Sequence, residues 1–220
     1  MINMRWLPII LGLSSTFAHA QVDRQGDAYQ IRIRFKPGQR SSYQIVRETM
    51  RAKVPPYSSI VDLRCSSAVN GRFEVEAKER TTGSQDRTPL DQIAKIDNRG
   101  LSRNFLTFWL TPCPASPVKL HTPWQGSPPP FSSTLGLRPN STVTYQLEKV
   151  DATSATVSFA CIQAPTRRDP QEIDFRGAII LDTSTGQFIS LKLERLEPRM
   201  ASDRFETGTK PTFATSIIRI

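Results

Sequence analysis

The chain has 220 residues, of which 38% are hydrophobic, 22% charged and 8% aromatic, and its formal net charge is +9. That length suits one large β domain or two small ones, burying roughly 70% of the unfolded surface. The aliphatic and aromatic content excludes a disordered polyelectrolyte, and no apolar run after the first twenty residues approaches the roughly 20 residues that a membrane-spanning helix needs.

Residues 1–20 read as a cleavable export signal. Arg5 supplies a positive start, Trp6 to Leu13 a short apolar stretch, and Ala18-His19-Ala20 a small-x-small cleavage site that leaves Gln21 as the mature N-terminus. The apolar stretch is too short to cross a bilayer of about 30 Å, and no cysteine stands near the cleavage site to carry a lipid. Removing it takes away one Arg and no acid, so the mature charge is +8. Export to the periplasm or the extracellular space permits disulfides. Three cysteines, Cys65, Cys113 and Cys161, allow one bridge in three pairings. Cys65 follows Val61 and Leu63 in alternation and Cys161 follows Val157 and Phe159, so both point inward, as a bridge or as small buried hydrophobes. Cys113 lies in Pro112-Cys-Pro114 with no CxxC partner and no adjacent His, which supports neither a redox centre nor zinc.

In chain order, Gln21 to Tyr29 is a polar lead-in. Gln30 to Lys36 alternates Ile31, Ile33 and Phe35 with Arg32, Arg34 and Lys36, the pattern of a strand with one buried face. Pro37-Gly38 turns it, and Ser42 to Lys53 follows as a longer strand ended by Pro55-Pro56. Ser58 to Ser66 is a third run. Asn70-Gly71 is a two-residue hairpin signal leading into Arg72 to Thr81, where Phe73, Val75 and Ala77 alternate with charged residues. Thr82 to Leu90 is a polar loop. Ile93 to Ile96 is a short strand or, taken from Leu90, a single helical turn. Asp97 to Gly100 turns the chain into Ser102 to Leu110, with Phe105, Phe108 and Trp109.

Residues 111–141 form a connector with prolines at 112, 114, 117, 123, 128, 129, 130 and 139. Within it Pro117 to Leu120 can be extended, and Trp124 can tuck against the sheet. Beyond it come Val143 to Leu147, Val157 to Cys161, the almost solidly apolar Phe175 to Leu181, the Asp182 to Gly186 turn, and the alternating Ile189, Leu191 and Leu193. Phe205 to Ile220 closes the chain as a terminal strand. The halves 30–110 and 142–220 share phrases such as Tyr43-Gln-Ile and Tyr145-Gln-Leu. Either an ancient duplication or the common grammar of β-hairpins accounts for this.

Chemical motifs are sparse. His121 is the one histidine of the mature chain, and it stands in the connector, eight residues from Cys113. No G-x-S-x-G elbow, H-E-x-x-H, EF-hand loop, P-loop or G-x-G-x-x-G occurs. Catalytic residues, metal ligands and cofactors are therefore all expected to be none. Basic residues fall at Arg32/Arg34/Lys36, Arg72/Lys78/Arg80 and Arg167/Arg168, mostly on the solvent side of strands. A polyanion site would need them gathered on one face. Nucleic acid is disfavoured because the aromatics share the aliphatic face and the bases oppose them.

Four short stretches carry a resemblance. They are Phe35-Lys36-Pro37-Gly38 with Tyr43, Pro114-Ala-Ser-Pro117-Val118 with Trp124, Tyr145-Gln-Leu147, and Asp182 to Gly186. Together they resemble a loose class of bacterial exported β-rich proteins, similar in outline to periplasmic lipoprotein carriers, in which a curved antiparallel sheet surrounds an apolar hollow. That class usually has a Gly shortly before the Trp, where this chain has His121-Thr122-Pro123. The resemblance implies lipid or apolar-ligand binding by fold analogy.

The expectation is one all-β domain over 21–220, an antiparallel meander curled into a half-barrel from two hairpin-rich halves. Its function is expected to be non-enzymatic, holding an apolar or lipid-like ligand in the hollow. Phe73, Trp109, Val157, Phe159, Ile180 and Leu191 are the candidate lining. The alternatives are a filled core with a protein–protein or polyanion interaction surface in the cell envelope, and a hydrolase with an unrecognised site.

Overall fold

The computed structural model describes residues 22–49, 57–81, 91–97, 113–126, 142–163, 173–198 and 209–220. These hold thirteen strands and no helix. The strands are β1 (Val22–Gln25), β2 (Ala28–Ile31), β3 (Arg40–Thr49), β4 (Tyr57–Val69), β5 (Arg72–Thr81), β6 (Asp91–Asp97), β7 (Val118–Lys119), β8 (Pro123–Gly126), β9 (Val143–Val150), β10 (Ser154–Gln163), β11 (Ile173–Asp182), β12 (Phe188–Pro198) and β13 (Thr209–Arg219). Ten of them make one sheet in the order β6-β5-β4-β3-β13-β12-β11-β10-β9-β8, not closed into a barrel, and β1-β2-β7 make a second. Every paired neighbour is antiparallel.

Alternation places the apolar side chains of the large sheet on one face. Register aligns them in a row, Leu147–Val157–Ile179–Leu191–Ile217–Ile45, across six adjacent strands. All six are buried, each worth about 1.5–3 kcal/mol relative to exposure. A second row stacks Trp124 on Tyr145 (ring centroids 5.7 Å) and Tyr145 against Phe159 (6.1 Å). Register shifts at Cys65/Ser67, Thr156/Val157, Ile180/Leu181 and Arg195/Leu196 add local twist and bend, which helps a wide antiparallel sheet to curl.

A strap formed by residues 32–39 lies over this apolar face. Ile33 and Phe35 are buried in it, continuing from buried Ile31 at the end of β2, and Phe35 meets Phe73 of β5 edge-on at 5.5 Å. The strap backbone is tied at few points: Arg34 N–H donates to Thr185 O (2.8 Å) and Gly38 N–H to Cys65 O (2.8 Å). The Arg32 guanidinium donates to Pro114 O (2.8 Å) and Ala115 O (3.1 Å), which fastens the start of the connector to the strap.

Several local expectations change. The strand expected over Gln30–Lys36 ends at Ile31, although burial still alternates through Phe35. Alternation encodes one buried side, and here that side rests on a sheet face rather than beside a hydrogen-bonded neighbour. The polar lead-in is instead the β1–β2 hairpin. Asp91–Asp97 is a strand paired with β5, not a helical turn. In the connector the expected extended piece is β7 and Trp124 lies against the sheet as expected, with β8 pairing with β9 and Cys113, Pro114 and Val118 buried. All three cysteines are buried as thiols, with no disulfide among them. The expected export signal (1–20), Ser102–Leu110 and residues 127–141 lie outside the described residues.

Candidate functional site

The proposed lining residues do not share one environment. Val157, Phe159 and Leu191 point to the covered face from β10 and β12, and Phe73 points there from β5 beneath Phe35. None of the four is more than 6% exposed, so in this conformation they are packed core under the strap. Ile180 stands on the opposite face: its neighbours Ile179 and Leu181 are buried, and it pairs with Thr156 and Ser190 on the outer side. The apolar run Phe175–Leu181 left its phase open, and the register with β10 settled it. Trp109 lies outside the described residues.

A polar cluster on the outer face joins residues far apart in the chain, so no local motif displays it. Ser158 Oγ donates to Glu148 Oε1, and Gln146 Nε2 donates to Glu148 Oε2 (3.3 Å). His121 Nδ1 lies 3.3 Å from the same Oε2. The hydrogen bond from Ser158, against a smaller opposing effect of burial, and with help from Gln146 and His121, holds the Glu148 carboxyl below its ordinary range. The members are those of a hydrolytic triad, but the order is wrong. A base must touch the nucleophile, with the acid behind the base. Here the carboxylate stands between hydroxyl and imidazole, so His121 cannot take the Ser158 proton in this arrangement. The cluster fastens the Leu120–His121 turn, whose His121 N–H also donates to Leu147 O (2.8 Å).

The most distinctive charge pattern gathers at the end of the strap. Lys36-Pro37-Gly38-Gln39 is a turn closed by Gln39 N–H to Lys36 O (2.9 Å), with Gly38 at φ +79°. Proline at the second position and a positive-φ glycine at the third are what a type II turn requires. Buried Gln187 braces it, donating to Arg34 O (2.7 Å) and accepting from Gln39 Nε2 (3.2 Å). Arg34 and Lys36 project outward from the strap because Ile33 and Phe35 project inward. Just past the turn, Arg40 of β3 stands directly across from Arg64 of β4, and both are exposed. Like charges directly opposite on one sheet face are unfavourable. Glu76 faces Arg64 from β5 but makes no ion pair with it.

Elsewhere five bases are matched, while Arg24 and Arg32 donate to backbone carbonyls and Arg72 and Lys192 have no carboxylate partner among the described residues. Arg80 pairs with Asp62 (2.8 Å), Lys119 with Asp27 (2.5 Å), Lys149 with Asp151 (2.9 Å), Arg176 with Asp174 (2.7 Å) and Arg219 with Asp182 (3.2 Å). Among the described residues, Arg34, Lys36, Arg40 and Arg64 have no carboxylate partner. The alternation showed that Arg34 and Lys36 face outward. That Arg40 and Arg64 join them depends on the turn and on the β3–β4 register, which no short window of sequence displays. Arg72 is exposed on the outer face, and Arg167/Arg168 lie outside the described residues.

Among the described residues there is no group of three or more His, Cys, Asp or Glu placed to hold a metal ion, and no helix long and apolar enough to cross a membrane. Set against profiles of known protein families and against curated protein sequences, the chain matches none.

Proposed function

We propose that this protein is a non-enzymatic, exported module that attaches to a polyanionic surface of the cell envelope through Arg34, Lys36, Arg40 and Arg64. The observation that carries this reading is the gathering of four bases without carboxylate partners around one turn. Five bases elsewhere on the molecule have a carboxylate within 3.2 Å. The four around the Lys36–Gln39 turn have none among the described residues, and two of them oppose each other directly. Folding gains nothing from that arrangement, whereas an external anion does. Each base held near an anionic surface is worth about 1 kcal/mol. An apolar ligand in the hollow would first have to displace Ile31, Ile33 and Phe35, so the outer surface is the better-supported site.

The test compares two variants with matched changes of charge. Arg34→Glu/Lys36→Glu acts at the proposed site. Arg176→Glu/Lys192→Glu makes the same change on the outer sheet face. Retention on an immobilised polyphosphate matrix is read as a function of salt. The first variant should elute at clearly lower ionic strength than the second. Equal losses would mean that only net charge matters, and the reading would fall.

A further inference from the structure

The cation-bearing turn does not stand alone on its corner of the molecule. The β4–β5 hairpin runs past it, since Cys65 is tied to Gly38 and Gln39 and the strand continues to Val69 before turning at Asn70-Gly71. Val69 is 62% exposed beside exposed Arg72, its register partner. On the same outer face the row Arg40–Arg64–Glu76 ends at Ile93 of β6, which is 53% exposed. Two strand spacings and four residues of rise put Ile93 roughly 17 Å from Val69. Arg40, Arg64 and Arg72 are interleaved with these aliphatics, with half-buried Glu74 and Glu76 between them. The bases and acids of this face sum to +1, and Arg34 and Lys36 of the adjoining strap bring the corner to +3.

From this we propose that the anionic surface is a lipid bilayer, and that this corner docks on it with Val69 and Ile93 at the headgroup–acyl boundary and the bases on lipid phosphates. The proposal rests on the polyanion reading and narrows it. A soluble or polysaccharide anion needs bases alone, and gains nothing from exposed aliphatics set among them. A bilayer rewards both, because apolar side chains enter the interface while Lys and Arg remain at the phosphates. The two contributions are separable, since salt screens the second and not the first.

The experiment uses the intact protein, vesicles of mixed phosphatidylglycerol and phosphatidylcholine, vesicles of phosphatidylcholine alone, and immobilised polyphosphate. The key variant is Val69→Thr/Ile93→Thr, which keeps β-branched side chains at two exposed positions. Binding is expected to the anionic vesicles and not to the neutral ones. The double threonine variant should bind anionic vesicles about tenfold more weakly, given about 25 cal/mol per Å² of apolar surface withdrawn from water, with polyphosphate retention unchanged. Vesicle binding that is indifferent to the two threonines overturns the proposal. Retention on polyphosphate without vesicle binding also overturns it, and leaves the broader reading standing. Failure to bind either support removes both.

Discussion

Gly177 offers the sharpest test of how the covered face is packed. It sits in β11 between Phe159 of β10 and Leu193 of β12. A Cβ placed there would lie 2.3 Å from Phe159 Cζ, 2.7 Å from Phe159 Cε1 and 2.3 Å from Lys192 O. Carbon contacts are favourable near 3.5–4.0 Å, so Gly177→Ala falls short by roughly 1 Å on two sides. The ring cannot simply swing away, because Phe159 is buried and its other side meets Tyr145. The carbonyl belongs to the backbone of β12, so relieving that contact means moving a strand. Overpacking that side chains can absorb costs about 1–3 kcal/mol. Here the backbone must yield too, which puts the cost at about 3 kcal/mol or more, a large part of a total stability of about 5–15 kcal/mol. In a domain of this size that lowers the melting temperature by roughly 6–12 °C. The assay is urea and thermal unfolding of four proteins: wild type, Gly177→Ala, Phe159→Leu and the double variant. Phe159→Leu should be much less harmful when combined with Gly177→Ala than alone, with a coupling of at least about 1 kcal/mol. A Gly177→Ala protein within about 0.5 kcal/mol of wild type, or strictly additive effects, would refute the packing argument.

Other outcomes follow from single contacts. Phe35→Ala removes the buried ring that meets Phe73 and should cost about 3–5 kcal/mol, with increased binding of a hydrophobic dye as the strap loosens. Ser59 is fully buried and its hydroxyl has no hydrogen-bond partner among the described residues, so Ser59→Ala should leave stability unchanged or raise it by up to about 1 kcal/mol, measured by urea midpoint. Burial pushes the Asp182 carboxyl up, but hydrogen bonds from Ser184 and Arg219 outweigh it and its pKa falls below the ordinary value. The stability it contributes is therefore present above about pH 4 and lost as pH falls further. The difference in unfolding free energy between wild type and Asp182→Asn should shrink on acidification below that point. Burial pushes the Tyr43 phenol up to about 12 and raises Tyr145 as well. In the unfolded chain both ionise near 10, so stability should decline as pH rises above about 10. Native phenolate absorbance should lag behind that of denatured protein over the same range.

What the sequence made legible was periodicity and turns. Asn70-Gly71 has both residues at positive φ, +51° and +71°, as the type I′ signal required. Asp182 accepts from the N–H groups of Ser184 (2.9 Å) and Thr185 (3.2 Å), which is why an Asp opens that turn. The alternation of the strap is that of a strand, because an extended segment lying on a sheet face and a strand within a sheet bury the same alternate residues. The side on which Ile180 stands is not legible, because a solidly apolar run carries no phase of its own. In the connector, Pro117 to Leu120 was legible as an extended piece and Trp124 as a side chain tucked on the sheet: Val118 is buried and Trp124 stacks on Tyr145. The prolines there shorten strands to two and four residues without preventing them. The cation-bearing turn joins residues 34, 36, 40 and 64, and only the Lys36–Gln39 turn together with the β3–β4 pairing makes them neighbours.

The echo between the Tyr43-Gln-Ile and Tyr145-Gln-Leu phrases can now be decided. Across the sheet the first half runs β6-β5-β4-β3 and the second β12-β11-β10-β9, in the same order. Tyr43 and Tyr145, at matching places in the repeated phrases, both point to the covered face. Yet β3 and β9 stand five places apart in a fully antiparallel sheet, so they run in opposite directions. Two units with the same strand order and the same inner face but reversed strand direction are related by reflection, and no rotation or translation superposes them. A duplicated segment of L-residues cannot become its own mirror image. The Tyr43 and Tyr145 phrases are therefore separate answers to one local demand, an inward aromatic at the start of a hairpin. The odd offset comes from β13, which enters between β3 and β12. Without it those two strands would meet parallel, in the slightly weaker pairing. With it the halves join through two antiparallel ladders, and Ile217 completes the apolar row that links them.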